Sequence, residues 1–215
     1  MTDVLIGLMA SVFVVFCTLP IHEFAHAFVA TKLGDDTARL KGRLTLNPLA
    51  HIDPIGAAMI ILVGFGYAKA VPFNARRFKN PKVGTALVAL AGPSANILMA
   101  LFFMLLSNGA VMLYSFGQAL VWYVSYMFFY YAATINVSLA VFNLLPVPPL
   151  DGSKILAILV PSKYYFKYLQ YERYVILGVF LLIVLGVLDV PLSFLTGIVM
   201  RRIEAISKLP FMLFN

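Results

Sequence analysis

VGTALVALAGPSANILMALFFMLLSNGAVMLYSFGQALVWYVSYMFFYYAATINVSLAVFNLLPVPPL, residues 83–150, contains no Asp, Glu, Lys or Arg. A water-soluble fold of this size cannot bury so long an uncharged apolar run, whereas a bilayer needs about 20 such residues for each crossing helix. The tract therefore holds at least two membrane spans, with its natural break between Ser107-Asn108-Gly109 and Ser115-Phe116-Gly117. The rest of the chain agrees. Of its 215 residues 62% are hydrophobic and 12% charged, and mean hydropathy is +0.93. Ordinary globular domains run near 45–50% and about 25%, so a soluble domain is excluded.

Upstream, Val4 to Ile21 is uncharged and the pattern stays mostly apolar to Thr31, long enough at 1.5 Å per residue to cross about 30 Å of hydrocarbon. It lacks the basic leader of a signal peptide and is expected to be a retained helix. Ile55–Ala68 is apolar but short, with basic residues on both flanks, which suits a re-entrant element better than a span. Downstream, Tyr174–Leu188 and Leu192–Met200 are apolar runs short for full spans, expected to pair as a hairpin. These add up to an all-α polytopic membrane protein of about 5–6 transmembrane or re-entrant helices. It is read as one domain over 1–215, with a core of about 1–160 and C-terminal helices near 171–206.

The net charge of +7 comes from sixteen basic and nine acidic residues. In a soluble chain it would point to nucleic acid. Here Lys and Arg cluster at 32–43, 69–82, 154–173 and 201–208, between apolar segments, so loops against anionic headgroups explain them and no nucleic-acid partner is expected. The positive-inside rule puts all four clusters in the cytoplasm and the N-terminus, the 107–117 turn and Asp189 outside. Tyr123–Tyr131 and Tyr164–Tyr174 read as interfacial anchoring and packing. Cys17 is the sole cysteine, so neither an internal disulfide nor a Cys-based metal site is available.

His22-Glu23-Phe24-Ala25-His26 carries the chemistry. On a helix, positions i and i+4 share a face, so both imidazoles can bind one Zn²⁺, and Glu23 can serve as general base. The motif lies roughly 9 Å before Lys32 along a membrane helix, where titratable groups are costly and usually functional. A polar patch satisfied by neighbouring helices is the plainer alternative. Catalytic zinc normally takes three protein ligands. Asp151, closing the uncharged tract in LLPVPPLDG, ranks first; its plainer role is a helix cap. His51 and Asp53 in NPLAHIDPIG compete, with turn and helix-start roles as their plainer reading.

HEFAH in the first helix, Gly92-Pro93-Ser94-Ala95-Asn96 and NLLPVPPLDG at 143–152, in that order, resemble the site-2 proteases, zinc metalloproteases that cleave membrane-embedded or juxtamembrane segments. NPLAHIDPIG and the PFNARRFKNP loop add to the resemblance, which runs from Thr18 to Gly152. It implies a short form without PDZ or CBS domain in a bacterial-type cell membrane, with one Zn²⁺ per chain. By the same resemblance His22, His26 and Asp151 are the zinc ligands, Glu23 is the catalytic glutamate, and Asn96 and Asn143 bind substrate backbone or a developing oxyanion. Plain hydrogen bonding between helices is the other role open to the two asparagines. The expected partners are the bilayer and a single-span membrane protein or peptide.

Pro146, Pro148 and Pro149 break the helix and free backbone groups that only a protein-lined or wet cavity tolerates. Gly92 and Pro93 are expected to serve close packing and a kink. Helical peptide bonds are shielded, so the substrate must unwind, and an extended segment can add to a β-like edge from Leu40–Leu46 or Val71–Lys79. The late position of HEFAH suggests water reaching the site from the cytoplasmic side. A metal-ion transporter is the rival class; it predicts stacked sites along a path rather than one convergent set. A second rival is an inactive relative that only binds membrane segments, but the base and all three expected ligands are present.

Overall fold

The computed structural model describes residues 2–63, 68–117, 119–161, 164 and 170–213. The chain opens with one continuous helix, Thr2–Lys32. It consists of α1 (Thr2–Phe13), a π-turn at Val14–Thr18, and α2 (Leu19–Lys32). The Leu19 N–H reaches back five residues to the Val14 carbonyl, and Thr18 Oγ1 donates to the same oxygen at 3.0 Å. Pro20 begins the next turn without an N–H to donate, so the ladder widens locally where the motif helix starts.

Short helices α3 (Thr37–Leu40), α4 (Pro48–His51) and α5 (Pro54–Val63) follow. Then come α6 (Pro81–Gly117), α7 (Leu120–Asn143) and α8 (Asp151–Leu159). The chain closes with α9 (Glu172–Val184) and α10 (Asp189–Lys208). Among the described residues there is no strand, so neither Leu40–Leu46 nor Val71–Lys79 forms the expected β-like edge. Three helices, Thr2–Lys32, α6 and α7, are long and apolar enough to cross a bilayer, and the bent pair of α9 and α10 can add a fourth.

α6 and α7 form the main antiparallel pair; α1 packs on α7, α2 on α6, and α10 against both α6 and α7. The core joins Val14, Phe103, Met104, Ala133, Val137, Met200 and Ile203, with Phe13 edge-on to Phe103 at 5.7 Å. Alanines bring the backbones close, as membrane helices require where apolar burial gives no drive of its own. Large apolar side chains such as Leu98, Phe102 and Leu177 face outward, as a lipid-facing surface would have them.

Three expectations are corrected. First, the break in the uncharged tract comes only after Gly117, at the far end of the expected 107–117 turn, and not at Ser107-Asn108-Gly109. There α6 runs on, with Ser107 Oγ donating to the Tyr126 carbonyl at 3.2 Å and Asn108 Nδ2 to Ser207 Oγ at 2.8 Å. Internal partners of this kind make polar residues tolerable inside a membrane helix. Second, α9 and α10 are not a hairpin: they meet at 85°. Gly186, at φ +69°, closes α9 in the left-handed region that suits glycine.

Third, the basic clusters do not share one end. Ser207 lies on Asn108, and Lys208 lines a cavity with Tyr114 and Tyr123, beside the uncharged 107–117 end of α6. Asp189 lines another cavity with Leu139 and Phe142, at the opposite end of α7. α10 therefore runs parallel to α6.

Ile55–Ala68 leaves and returns at one end, because the Lys69 N–H donates to the His51 carbonyl at 2.8 Å. Between these flanks α5 packs Ala57 and Ile60 on Val15 and Leu19 of the first helix. The remainder of this segment, 64–67, lies outside the described residues.

Candidate metal centre and active site

His22 and His26 sit one turn apart on α2, both buried, with Nε2 atoms 3.0 Å apart. Asp151, first residue of α8 and buried, brings Oδ2 to 3.4 Å from His22 Nε2 and 3.1 Å from His26 Nε2. Among the described residues these three form the one His/Cys/Asp/Glu group whose ligand atoms converge within 4.8 Å. His51 is not part of it. Both of that histidine's ring nitrogens face other partners, and Asp53 caps α5, accepting from the Ile55 and Gly56 N–H groups at 3.0 Å each.

The donor chemistry fits zinc. His26 Nδ1 lies 2.6 Å from the Val88 carbonyl, which only accepts, so the proton belongs on Nδ1 and Nε2 keeps its lone pair. Three ligand atoms 3.0–3.4 Å apart match the spacing, about 3.3 Å, around a tetrahedral ion with bonds near 2.0 Å. Two buried carboxylates, Asp151 and Glu23, share the cavity with one cation among the described residues, Lys154, whose Nζ lies 3.0 Å from Asp151 Oδ1. A divalent ion held by His22, His26 and Asp151 would supply the missing positive charge.

Glu23 faces a cavity of about 130 Å³, shared with His22, His26, Asp151, Lys154 and Asn143. The Val71 N–H donates to Glu23 Oε2 at 3.1 Å, so a loop backbone group orients the carboxylate. The expected asparagines part company. Asn143 lines the cavity and spends one N–H on the Leu139 carbonyl at 2.9 Å. Asn96 is buried one turn beyond Gly92 and does not line it, and its Nδ2 has no partner among the described residues.

Gly92 does the close packing expected of it: a Cβ there would fall under 3.0 Å from both His22 Nε2 and His26 Nε2, so α6 approaches the histidines only without a side chain. Several other contributors went unread in the sequence. Gly152 is one, since a Cβ would meet the Leu144 and Leu145 carbonyls. The turn holding those carbonyls, with a cis Pro148–Pro149 bond, thus seats Asp151 at the start of α8. A glycine directly after the motif aspartate was the available signal for it. No pattern pointed to Lys154, the Val88 carbonyl or the Val71 N–H.

The loop facing the site is held at its far end by Asp35. Its carboxylate is fully buried and accepts from the Thr37 N–H and hydroxyl and the Asn74 N–H, with Arg77 Nη1 at 3.6 Å. Burial pushes this carboxyl up, but those hydrogen bonds and the Arg77 guanidinium outweigh it and hold the group below the usual carboxylate range.

Membrane-crossing helices around a His-His-Asp cluster define an integral membrane metallopeptidase class. The chain belongs to peptidase family M50, the site-2 proteases, which are zinc-dependent. The model of peptidase family M50 matches residues 107–186. A Bacillus subtilis protein, "Putative zinc metalloprotease YwhC", is 46% identical over 158 residues, covering 71% of this chain and 70% of that protein. Two mycobacterial proteins named "Putative zinc metalloprotease Rip2" are similar over 63% of this chain and 51% of their own length. The identity is 31% for Mycolicibacterium smegmatis and 34% for Mycobacterium tuberculosis. No solved structure matches the chain.

Proposed function

We propose that the chain is a zinc metalloendopeptidase that hydrolyses peptide bonds in or near transmembrane segments of membrane proteins. One observation carries the reading: His22, His26 and Asp151 converge at the wall of a cavity that Glu23 also lines, inside a membrane bundle. A transporter would need further groups along a path, and among the described residues there is one such cluster.

His22, His26 and Asp151 would hold zinc, which when bound supplies a Lewis acid for the scissile carbonyl and for water. Val88 fixes the His26 ring through Nδ1. Glu23, oriented by Val71, takes a proton from the attacking water and returns it to the leaving amine. Asn143, with one amide N–H engaged, has a second to offer substrate backbone or a developing oxyanion. Asn96, buried one turn beyond Gly92 and off the cavity, takes no step in this mechanism. A peptide bond can reach this small cavity only from an unwound segment.

The preferred partner is a single-span membrane protein in the same bilayer. The nine basic residues between Lys32 and Lys82 at the site end support a reading with that end at the cytoplasmic face of a bacterial-type membrane and the N-terminus outside. Counting α5 as re-entrant alongside Thr2–Lys32, α6, α7 and the bent α9–α10 pair gives five membrane elements, and 1–215 forms one catalytic domain. The test is cleavage of a single-span substrate in reconstituted membranes by the native chain and by Glu23→Gln. Native cleavage with at least 100-fold loss in Glu23→Gln, zinc retained, supports the reading. Equal cleavage by both overturns it.

A further inference from the structure

His51 is completely buried in a membrane protein, yet it takes no part in the metal cluster. Its Nε2 lies 2.7 Å from the Thr45 carbonyl, which can only accept, so Nε2 carries the proton and Nδ1 is an acceptor. Arg43 faces that acceptor, with Nη2 at 3.5 Å, and the same Nη2 donates to the Lys69 carbonyl. The Lys69 N–H in turn donates to the His51 carbonyl at 2.8 Å. Both backbone groups of Lys69 are therefore held by this pair, and among the described residues no other side chain bonds to them.

Two residues further on, Val71 gives its N–H to Glu23. Val71 is buried against Ala27 and Ala38, and Ala68, Ala70 and Phe73 wall the same cavity. The clamp at 43–51–69 and the contact on the general base thus belong to one short stretch of chain, with the re-entrant element closed at its foot. Asp35 fixes the far end of that stretch at Asn74, leaving the near end to Arg43 and His51.

We propose that His51 and Arg43 are positioning residues for hydrolysis: they clamp Lys69 so that Val71 holds Glu23 in line. The motif NPLAHIDPIG then supplies a backbone clamp rather than a metal ligand. The inference rests on Glu23 being the base, as proposed above. It predicts that His51→Ala keeps its zinc and lowers kcat about 10–10²-fold, the loss expected from roughly ångström misplacement, with KM little changed. His51→Gln keeps a donor for the Thr45 carbonyl and should recover most of that loss. Val71→Pro removes the N–H that the clamp delivers, so adding His51→Ala to it should cost no further rate.

A measurement independent of activity accompanies these. In a Cys17→Ser background, a cysteine at Val71, whose side chain is buried, should be alkylated several-fold faster in His51→Ala than with His51 intact, in purified zinc-loaded protein. In the rate and zinc measurements, three outcomes overturn the proposal: zinc lost along with activity in His51→Ala, a native rate in that variant, or rate losses that multiply in the Val71→Pro background. If the native chain itself fails to cleave, the protease reading fails instead, and the alkylation rates still decide whether the clamp holds the loop. Unchanged alkylation overturns it.

Discussion

Lys154 Nζ lies 3.0 Å from Asp151 Oδ1, the carboxylate oxygen that the two histidines leave alone, while Oδ2 faces both Nε2 atoms. The ammonium thus divides the carboxylate into one oxygen for itself and one for the metal position. Outer partners of this kind typically change metal affinity or activity by about 10–100-fold. Lys154→Met should weaken zinc binding about tenfold in a competition titration against a chelator, while Lys154→Arg stays within a few-fold of native. Unchanged affinity in Lys154→Met would show that α8 alone aims Asp151.

Gly92 should not tolerate even a methyl group. A Cβ there is too close to His22 Nε2 and His26 Nε2 for either ring to stay in place. Moving α6 away would break the contact between His26 and Val88 on the preceding turn. Overpacking of a tight site costs about 1–3 kcal/mol. Gly92→Ala should lower the melting temperature and lose zinc, whereas alanine at Gly178, where nothing lies within 4 Å, should do neither. Full zinc content in Gly92→Ala, measured by metal analysis, would contradict the packing of α2 on α6.

How much of this was legible follows from which forces act locally. HEFAH and LDG were readable because a helix puts His22 and His26 on one face whatever surrounds it. The uncharged tract announced membrane helices because hydropathy alone decides insertion. The course of α10 was hidden. By charge alone Arg201, Arg202 and Lys208 look like a cytoplasmic loop cluster, but they belong to a helix whose packing on Phe103, Met104 and Ala133 carries them to the 107–117 end. Interior contacts set that direction, and charge counting does not see them. His51 and Asp53 compete as ligands on sequence because residue type does not reveal which way a buried ring points; the Thr45 carbonyl and the Arg43 guanidinium do.

Asp35 should make stability fall in acid. Its carboxyl is held below its ordinary value of 3.8 in the folded chain, so the unfolded chain binds that proton first as pH drops. The stabilisation is therefore complete above about pH 4 and is lost as pH falls through the folded value. Asp35→Asn removes a buried charged acceptor of several hydrogen bonds and should cost about 2 kcal/mol near neutrality. In thermal melts of detergent-solubilised protein, the gap between native and Asp35→Asn should be constant from pH 5 to 8 and shrink below 4. A gap that widens in acid would mean that Asp35 is not held as an anion by Thr37, Asn74 and Arg77.

The path of α10 makes the last prediction. Asn108 and Ser207 are hydrogen-bonded, so the ends of α6 and α10 that carry them share a side of the membrane. Lys41 follows the C-terminal end of α2 and belongs to the other side, where the metal cluster lies. With Cys17 replaced by Ser, single cysteines at Ser115 and Lys208, both exposed, should react with a membrane-impermeant thiol reagent from the same side in oriented vesicles. A cysteine at Lys41, also exposed, should react only from the opposite side. Positive-inside counting alone predicts Lys208 with Lys41, because it assigns every basic cluster to one compartment. The reason to expect otherwise is packing: Met200 and Ile203 are buried among Phe103, Met104 and Ala133, and reversing α10 would strip that face from the core. Labelling of Lys208 together with Lys41 would show that those contacts do not form in the bilayer, and the fourth crossing element would have to be redrawn.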